Sequence, residues 1–335
     1  MKAALLVAPG ELLVEKIPDP QAGPGEVRIA VGGVGLCGSD LSVFSGRWQV
    51  PRYPWVMGHE AFGVIESVGE GVPPGRVGET VVIEPNAVCF ACDQCLRGRT
   101  SACTRRQSVG MNRAGALAEL LVVPSRFAWS VGEMDPRDMV CVEPMTVVQA
   151  ALRRNPEALP RSALVVGVGP QGLLMSLALL ERGIEVQAHD VNPDRVAFAA
   201  GFGARPASAE PSERFALIVD TVGSPTSMET ALERLEVGGT LILLGLDSRP
   251  FDLTAQRIVR GQMVLRGSLT YDHPTDFEHT IAAIAAGRLG PGRIITDEYP
   301  MDDAQFAFDR NPRARGKTWI RVGTHPPRLL TRPVS

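Results

Sequence analysis

Four of the six cysteines fall within fifteen positions, as Cys89-x-x-Cys92-x-x-Cys95-x7-Cys103. Thiolates at that spacing can close a tetrahedron around Zn²⁺ with no open coordination position, which is structural rather than catalytic chemistry. Four unmetallated cysteines, or a zinc ribbon reading nucleic acid, are the alternatives. A ribbon needs a basic surround, and only Arg97, Arg99, Arg105 and Arg106 lie nearby. Other metal-binding residue types are dispersed: Cys37 in Leu36-Cys37-Gly38-Ser39-Asp40, His59 and Glu60 in Met57-Gly58-His59-Glu60, and Glu143. Mixed S, N and O ligands leave room for water or substrate, as a catalytic zinc requires. Taken singly, each also reads as core filler, and spacing alone does not join them.

A third constellation is Gly167-Val168-Gly169-Pro170-Gln171-Gly172. This G-x-G-x-x-G follows a continuous apolar run and opens a helical pattern, the context of a dinucleotide-binding turn. Gly167 permits the tight turn, Gly169 admits a pyrophosphate, and Gly172 lets helix and strand approach. Unpaired N–H groups at the helix start, around Pro170 and Gln171, favour the anion. Asp190 ends the next strand and can accept both ribose hydroxyls while repelling a 2′-phosphate; no arginine follows until Arg195. NAD is therefore the expected cofactor.

Two kinds of chain must position these groups. Up to about Met134 the sequence reads as short strands broken by Gly and Pro (residues 3–7, 26–31, 61–68, 80–83 and 117–123), a β-rich domain. After Cys141, strands at 162–166, 185–189, 215–220, 240–244 and 263–269 alternate with helices at 172–182 and 193–200. That alternation implies βαβ units and a parallel sheet. A further helix is expected at 275–288, a final strand at 318–322, and a loose Pro- and Arg-rich tail at 325–335.

Composition narrows the function. A formal charge of −3 gives no basic field for nucleic acid or an anionic membrane. The longest apolar runs, near 163–168 and 241–246, fall far short of the ~20 residues a spanning helix needs. The start, Met1-Lys2 and residues 3–8, imitates a signal peptide faintly, but Glu11 interrupts it and no cleavage site follows. A cytoplasmic location is the expectation, and clustered cysteines there favour metal over disulfide.

Together, Cys37-Gly38-Ser39-Asp40, Gly58-His59-Glu60, the four-cysteine lobe, Val142-Glu143-Pro144 and the glycine-rich turn resemble the zinc-dependent medium-chain dehydrogenase/reductase family. The similarity runs from the first strand to Gly316-Lys317 and is nearest to the polyol and threonine dehydrogenase branch. It implies an α/β architecture: a GroES-like catalytic domain from residues 1–145 and 276–335, and a Rossmann domain at 146–275. It also implies two zinc ions per chain, the catalytic one on Cys37 and His59, with Glu60 and Glu143 as the remaining candidates. Family alcohol dehydrogenases carry Cys where this chain has Glu143, whereas polyol-type members carry Glu; Cys141 is two residues off that position. The implied chemistry is hydride transfer between a secondary alcohol and NAD, with the zinc as Lewis acid and Ser39 as the relay hydroxyl. Gly245 and Ser268 match segments that touch the nicotinamide ring.

One departure from the family is Ser42, where many relatives place His; water or a cofactor ribose hydroxyl would then complete the relay. Phe44, Arg47 and Trp48 are pocket or packing residues. Glu143 and Glu60 favour a polar alcohol (polyol, sugar, cyclitol or amino alcohol), while Phe44, Trp48 and Trp55 leave simple or aromatic alcohols as the alternative. A non-catalytic dinucleotide-binding relative would lack Cys37 or His59, and both are present. A small-molecule alcohol or ketone is the expected partner, in a homodimer or homotetramer paired near strand 240–244.

Overall fold

The structure is a computed structural model that describes residues 1–155, 159–208 and 212–323. The tail expected at 325–335 lies outside the described residues. The chain divides into two compact units, Met1–Glu143 with 290–335, and Pro144–Leu289. The second crossing thus falls after the helix Thr275–Ala285, later than the 275/276 boundary read from the sequence. That helix belongs with the second unit, where Phe277 meets Tyr271 edge-on with ring centroids 5.1 Å apart.

In the first unit, a seven-stranded sheet runs Ala128–Ser130, Thr80–Ile83, Glu60–Val68, Glu26–Gly35, Lys317–Arg321 and Ile295–Pro300, with Leu120–Pro124 also on Glu26–Gly35. Both chain ends therefore build one sheet, as the GroES-like expectation requires. A smaller sheet joins Glu11–Lys16, Lys2–Ala8 and Trp55–Val56. Leu6, Ile29, Val34 and Ile65 of these strands pack with Leu117 and with Phe308 of the helix Ala304–Arg310 in one buried core. Burial of such side chains is what stabilises a β-rich unit whose turns carry little apolar surface of their own.

The pairing across the two chain ends has a local consequence. Gly35 stands opposite Glu60 on one neighbour and Trp319 on the other. Side chains two apart on a strand share a face, so Trp319 lies over Gly33 and Lys317 over Gly35. A Cβ on Gly33 would stand 2.4 Å from the Trp319 ring, and one on Gly35 would stand 2.4 Å from Glu60 Oε2 and 2.8 Å from Lys317 Cε. Glycine is required here because other side chains occupy its space.

The second unit is a six-stranded parallel sheet in the order Arg205–Pro206, Glu185–His189, Ser162–Val166, Phe215–Asp220, Leu235–Leu243, Val264–Gly267. Numbered along the chain this is 3-2-1-4-5-6, the doubly wound order, with its switch point beside Ser162–Val166. The glycine-rich turn sits at the carboxyl end of that strand and leads into the helix Pro170–Leu180. Residues 240–244 fall largely on Leu235–Leu243, which is flanked on both sides and lies next to the edge strand Val264–Gly267. The sequence marks both as apolar runs, and only the pairing order separates inner from outer.

The crowding at Gly35 is open to measurement. Gly35→Ala is expected to destabilise the chain by about 1–3 kcal/mol, the usual cost of overpacking. Gly75→Ala, where the added methyl meets nothing within 4 Å, should change stability by less than ~0.5 kcal/mol. Urea midpoints of the two variants check this.

Candidate metal and dinucleotide sites

The first site is assembled by the loop entering the helix Gly38–Phe44 and by the start of the strand Glu60–Val68. Ligand atoms of Cys37, His59 and Glu60 all lie within 4.8 Å of one another. A buried carboxylate, Asp40, ties the two segments together. Its Oδ2 accepts from the Cys37 N–H (3.0 Å), and its Oδ1 accepts from the Gly58 N–H (3.2 Å) and meets His59 Nδ1 at 3.2 Å. With Nδ1 engaged, His59 Nε2 is the nitrogen left to face Cys37 and a metal, and Ser39 Oγ lies 3.4 Å from it. Gly58 makes the turn at φ 90°, where an added Cβ would strike Val34 and Leu117.

The electrostatics suit a cation. Burial alone would push the His59 imidazole down, but Asp40 and the Cys37 sulfur outweigh it and hold it well above its ordinary value. An incoming metal must displace that proton, and it replaces the positive charge that Asp40 and Cys37 attract. Glu60 is paired with Lys317, and both are about 1% exposed. Burial opposes the Lys317 charge, yet Glu60, Cys141 and Cys37 raise its pKa. Cys141 is fully buried close by, and desolvation pushes its thiol up. Glu143 is buried in the first turn of the helix Val142–Arg153, outside the close trio.

At the second site the sulfurs of Cys89, Cys92, Cys95 and Cys103 also lie within 4.8 Å of one another, and Cys89 and Cys95 are 4.0 Å apart. An edge of a Zn–S₄ tetrahedron is ~3.8 Å for a 2.3 Å bond, so the sulfurs fit an ion and are far too separated for disulfides. Backbone N–H groups of Cys95 and Thr104 draw Cys92 down to about 5, whereas burial and neighbouring thiols push Cys95 up. The lobe has few apolar contacts of its own: Val88, Cys103 and Phe127 form a small cluster with the remaining cysteines around it.

The dinucleotide turn has the expected geometry. Gly167 adopts φ 82°, and an added Cβ there would stand 2.3 Å from Val222. A Cβ on Gly172 would collide with Gly167 O at 1.8 Å, whereas Gly169 is open apart from Arg195 Nη1 at 3.9 Å. Arg195, read from the sequence as remote from Asp190, thus comes back to the turn on the helix Pro193–Ala200. Asp190 is fixed by the N–H groups of Val168 and Asn192, at 2.9 and 2.8 Å. Gln171 donates to Pro144 O (3.2 Å) and Pro170 opens the helix. Gly245 is wedged against Val222 and Gly223. Ser268 is buried, and its hydroxyl accepts from Arg154 (2.9 Å). Of the proposed pocket aromatics, Phe44 packs on Phe308 (5.0 Å) and Trp55 donates to Gly110 O (2.9 Å).

Residues 23–133 match the alcohol dehydrogenase GroES-like domain, and residues 170–286 match the zinc-binding dehydrogenase domain. The chain belongs to the zinc-type medium-chain alcohol dehydrogenase family. It is similar to the starvation-sensing protein RspB of Escherichia coli strain K12, at 29% identity over 93% of this chain and 97% of that protein. It is 28% identical to the D-altritol 5-dehydrogenase of Agrobacterium fabrum, over 93% and 96% of the two chains. A crystal structure of an alcohol dehydrogenase from Escherichia coli CFT073, solved with NADH, superposes with a TM-score of 0.89 at 28% identity, covering 96% of this chain and 99% of that one.

As a family dehydrogenase the chain carries two residues whose roles the sequence reading left unassigned. In the sequence Asp40 only closes the motif Cys37-Gly38-Ser39-Asp40. Its signal was an acid at the third position of the helix that Cys37 precedes, where a carboxylate reaches back to the capping N–H. Lys317 marked only the end of the similarity. It is one of three lysines in the chain and opens the strand Lys317–Arg321, and a buried lysine requires an acidic partner.

The Asp40 tie gives a direct expectation. Asp40→Ala should weaken zinc binding at the Cys37–His59 site by about 10–100-fold, the usual effect of losing the partner that orients a metal-bound histidine. Competition with a chromogenic chelator measures it, and zinc held by the four-cysteine lobe should be unaffected.

Proposed function

We propose that this dehydrogenase oxidises a polar secondary alcohol (polyol, sugar, cyclitol or amino alcohol) with NAD, and reduces the matching ketone in reverse. The observation that carries this reading is the trio of Cys37, His59 and Glu60, with a carboxylate inside the ligand set and the Ser39 hydroxyl against His59. We assign the catalytic zinc to Cys37 Sγ, His59 Nε2 and Glu60, with Glu143 a buried reserve carboxylate at the helix start, and a structural zinc to Cys89, Cys92, Cys95 and Cys103. When bound, the catalytic zinc supplies Lewis acidity that makes an alcohol hydroxyl acidic near neutral pH, and the dinucleotide supplies the electron-pair acceptor.

The chain's own residues do the rest. Ser39 Oγ takes the substrate's hydroxyl proton. Ser42 Oγ is turned back to Gly38 O (3.0 Å), so the relay continues to water rather than to a side chain at that position. Asp40 holds His59 in one tautomer throughout. Glu60, paired with Lys317, accepts from substrate hydroxyls when it is not on the metal. An apolar alcohol would lack the hydrogen bonds that substrate hydroxyls give these carboxylates, worth roughly 1.5–3 kcal/mol each to a charged acceptor.

At the other site, Gly167, Gly169, Pro170, Gln171 and Gly172 cradle the pyrophosphate, and Asp190 accepts from the adenosine ribose. Gly245 and Ser268, at the carboxyl ends of neighbouring strands, lie where open α/β sheets bind ligands. Arg195 beside Gly169 offsets part of the repulsion a 2′-phosphate would meet at Asp190, so NADP is disfavoured rather than excluded. No helix among the described residues is long and apolar enough to cross a membrane. A cytoplasmic homo-oligomer completes the reading, paired through the exposed edge Val264–Gly267 near Val259 and Leu269, which are 73% and 56% exposed.

Two kinetic comparisons test this. With NAD, kcat/KM for vicinal polyols or amino alcohols should exceed that for simple alkanols of matched size; faster turnover of primary or benzylic alcohols would overturn the substrate class. The kcat/KM ratio of NAD to NADP should be about tenfold or more, and Asp190→Ala should narrow it. Equal use of both cofactors by the unaltered enzyme would refute the role given to Asp190.

A further inference from the structure

A cavity of about 440 Å³ opens in the first unit between the end of the helix Gly38–Phe44 and the chain that leaves the cysteine lobe. We infer that this cavity is a specificity subsite for the far end of the substrate, and that Arg106 there binds a terminal oxyanion, a carboxylate or a phosphate. The inference rests on the polar-alcohol reading above and narrows it.

Two observations join the cavity to the metal site. Val43 lines it, and Val43 is four residues after Ser39 on the same helix, hence on the same face and one turn of ~5 Å away. Met111 lines it from the other side. The neighbouring Gly110 lies so close to Gly58 that a Cβ there would stand 2.9 Å from Gly58 O, and Gly58 leads directly into His59. One rim therefore comes from the helix that carries Ser39, and the other from a segment packed against the Gly58 turn. A substrate whose reacting carbon sits at His59 and Ser39 needs only a few further carbons to enter.

The lining sets the chemistry. Trp48, 39% exposed, offers an aromatic wall, and Gln49, Ser108 and Asn112 offer polar groups. No carboxylate lines the cavity. Ser108 and Asn112 are partly used: Ser108 Oγ donates to Asn86 (2.7 Å), and Asn112 accepts from the Ser108 N–H (2.6 Å) and donates to Arg106 O (3.2 Å). These bonds fix the wall and leave the guanidinium as its strongest donor. Arg106 is half-buried, forms no ion pair among the described residues, and spends one donor, Nη1, on Ser101 O (2.9 Å). Among the described residues Arg106 thus has no acidic side chain as a partner. A planar guanidinium in a niche without acids suits a carboxylate or phosphate.

The test compares a six-carbon aldonate, a hexitol 1-phosphate and the neutral hexitol of the same configuration, using zinc-loaded enzyme and NAD. At least one anionic substrate should have a kcat/KM about tenfold or more above the neutral hexitol, mainly through KM. Arg106→Met should cut that anion-to-neutral ratio by about tenfold or more, the value of a charge-assisted hydrogen bond. Arg106→Lys should restore more of the ratio for the phosphate than for the carboxylate. A ratio unchanged in Arg106→Met would overturn the inference, whichever alcohols react. Binding is read separately from turnover by quenching of Trp48 fluorescence, with Trp48→Phe as the control for the signal. If no polyol is oxidised, the substrate reading above fails, yet saturable quenching by the aldonate or phosphate that is lost in Arg106→Met still supports the subsite. Absence of such quenching by either anion rejects it.

Discussion

One buried carboxylate, Asp40, holds the metal site together. It accepts from the N–H groups of Cys37 and Gly58 and from His59 Nδ1, and so ties together the two segments that continue past the paired Gly35 and Glu60. Each bond to a charged acceptor is roughly twice as strong as a neutral one, and together they set the distance between a sulfur and an imidazole nitrogen. A catalytic metal tolerates little error in that distance, because an open coordination position removes one of the ligands that would otherwise fix the ion. The same carboxylate selects the histidine tautomer. Position and protonation state thus follow from a single side chain.

Around this tie the fold spends its chain ends on a second buried charge pair. The strand Lys317–Arg321 enters the sheet beside Glu26–Gly35 and brings Lys317 to Glu60 over the vacant side of Gly35. Such a pair adds little net stability, since two desolvated charges only roughly recover their hydration. Removing one partner is another matter, at about 3–5 kcal/mol for an uncompensated buried charge. The arrangement gives a carboxylate beside Cys37 and His59 a buried partner, which a hydrophobic core could not do. It also explains why residues nearly 260 positions apart must share one sheet.

Much of this was legible in the chain. The cysteine spacing, the G-x-G-x-x-G turn and Asp190 carry their geometry locally, and a short window of sequence was enough to read each. Strand positions agreed to within a few residues for the same reason, because alternation and turn residues are local signals. What was not legible is what depends on register and on side-chain reach. Asp40 and Lys317 act through partners brought together only by the sheet. Val264–Gly267 and Leu235–Leu243 look alike as apolar runs, and strand order alone makes one of them an edge. Arg195 stands five positions beyond Asp190 in the sequence, yet a single turn of helix returns it to Gly169. The trio around Cys37 needed the fold to become a set, and the fold separates Glu60 from Glu143 where the sequence left them equal.

The account rests on two metal positions that do different work, one open and one closed. Native mass spectrometry of protein purified without chelator measures this most directly. The account predicts two zinc ions per chain in the unaltered protein and one in Cys37→Ala, with the fold retained because the four-cysteine lobe keeps its ion. A single zinc in the unaltered chain, or loss of both ions from Cys37→Ala, would contradict it.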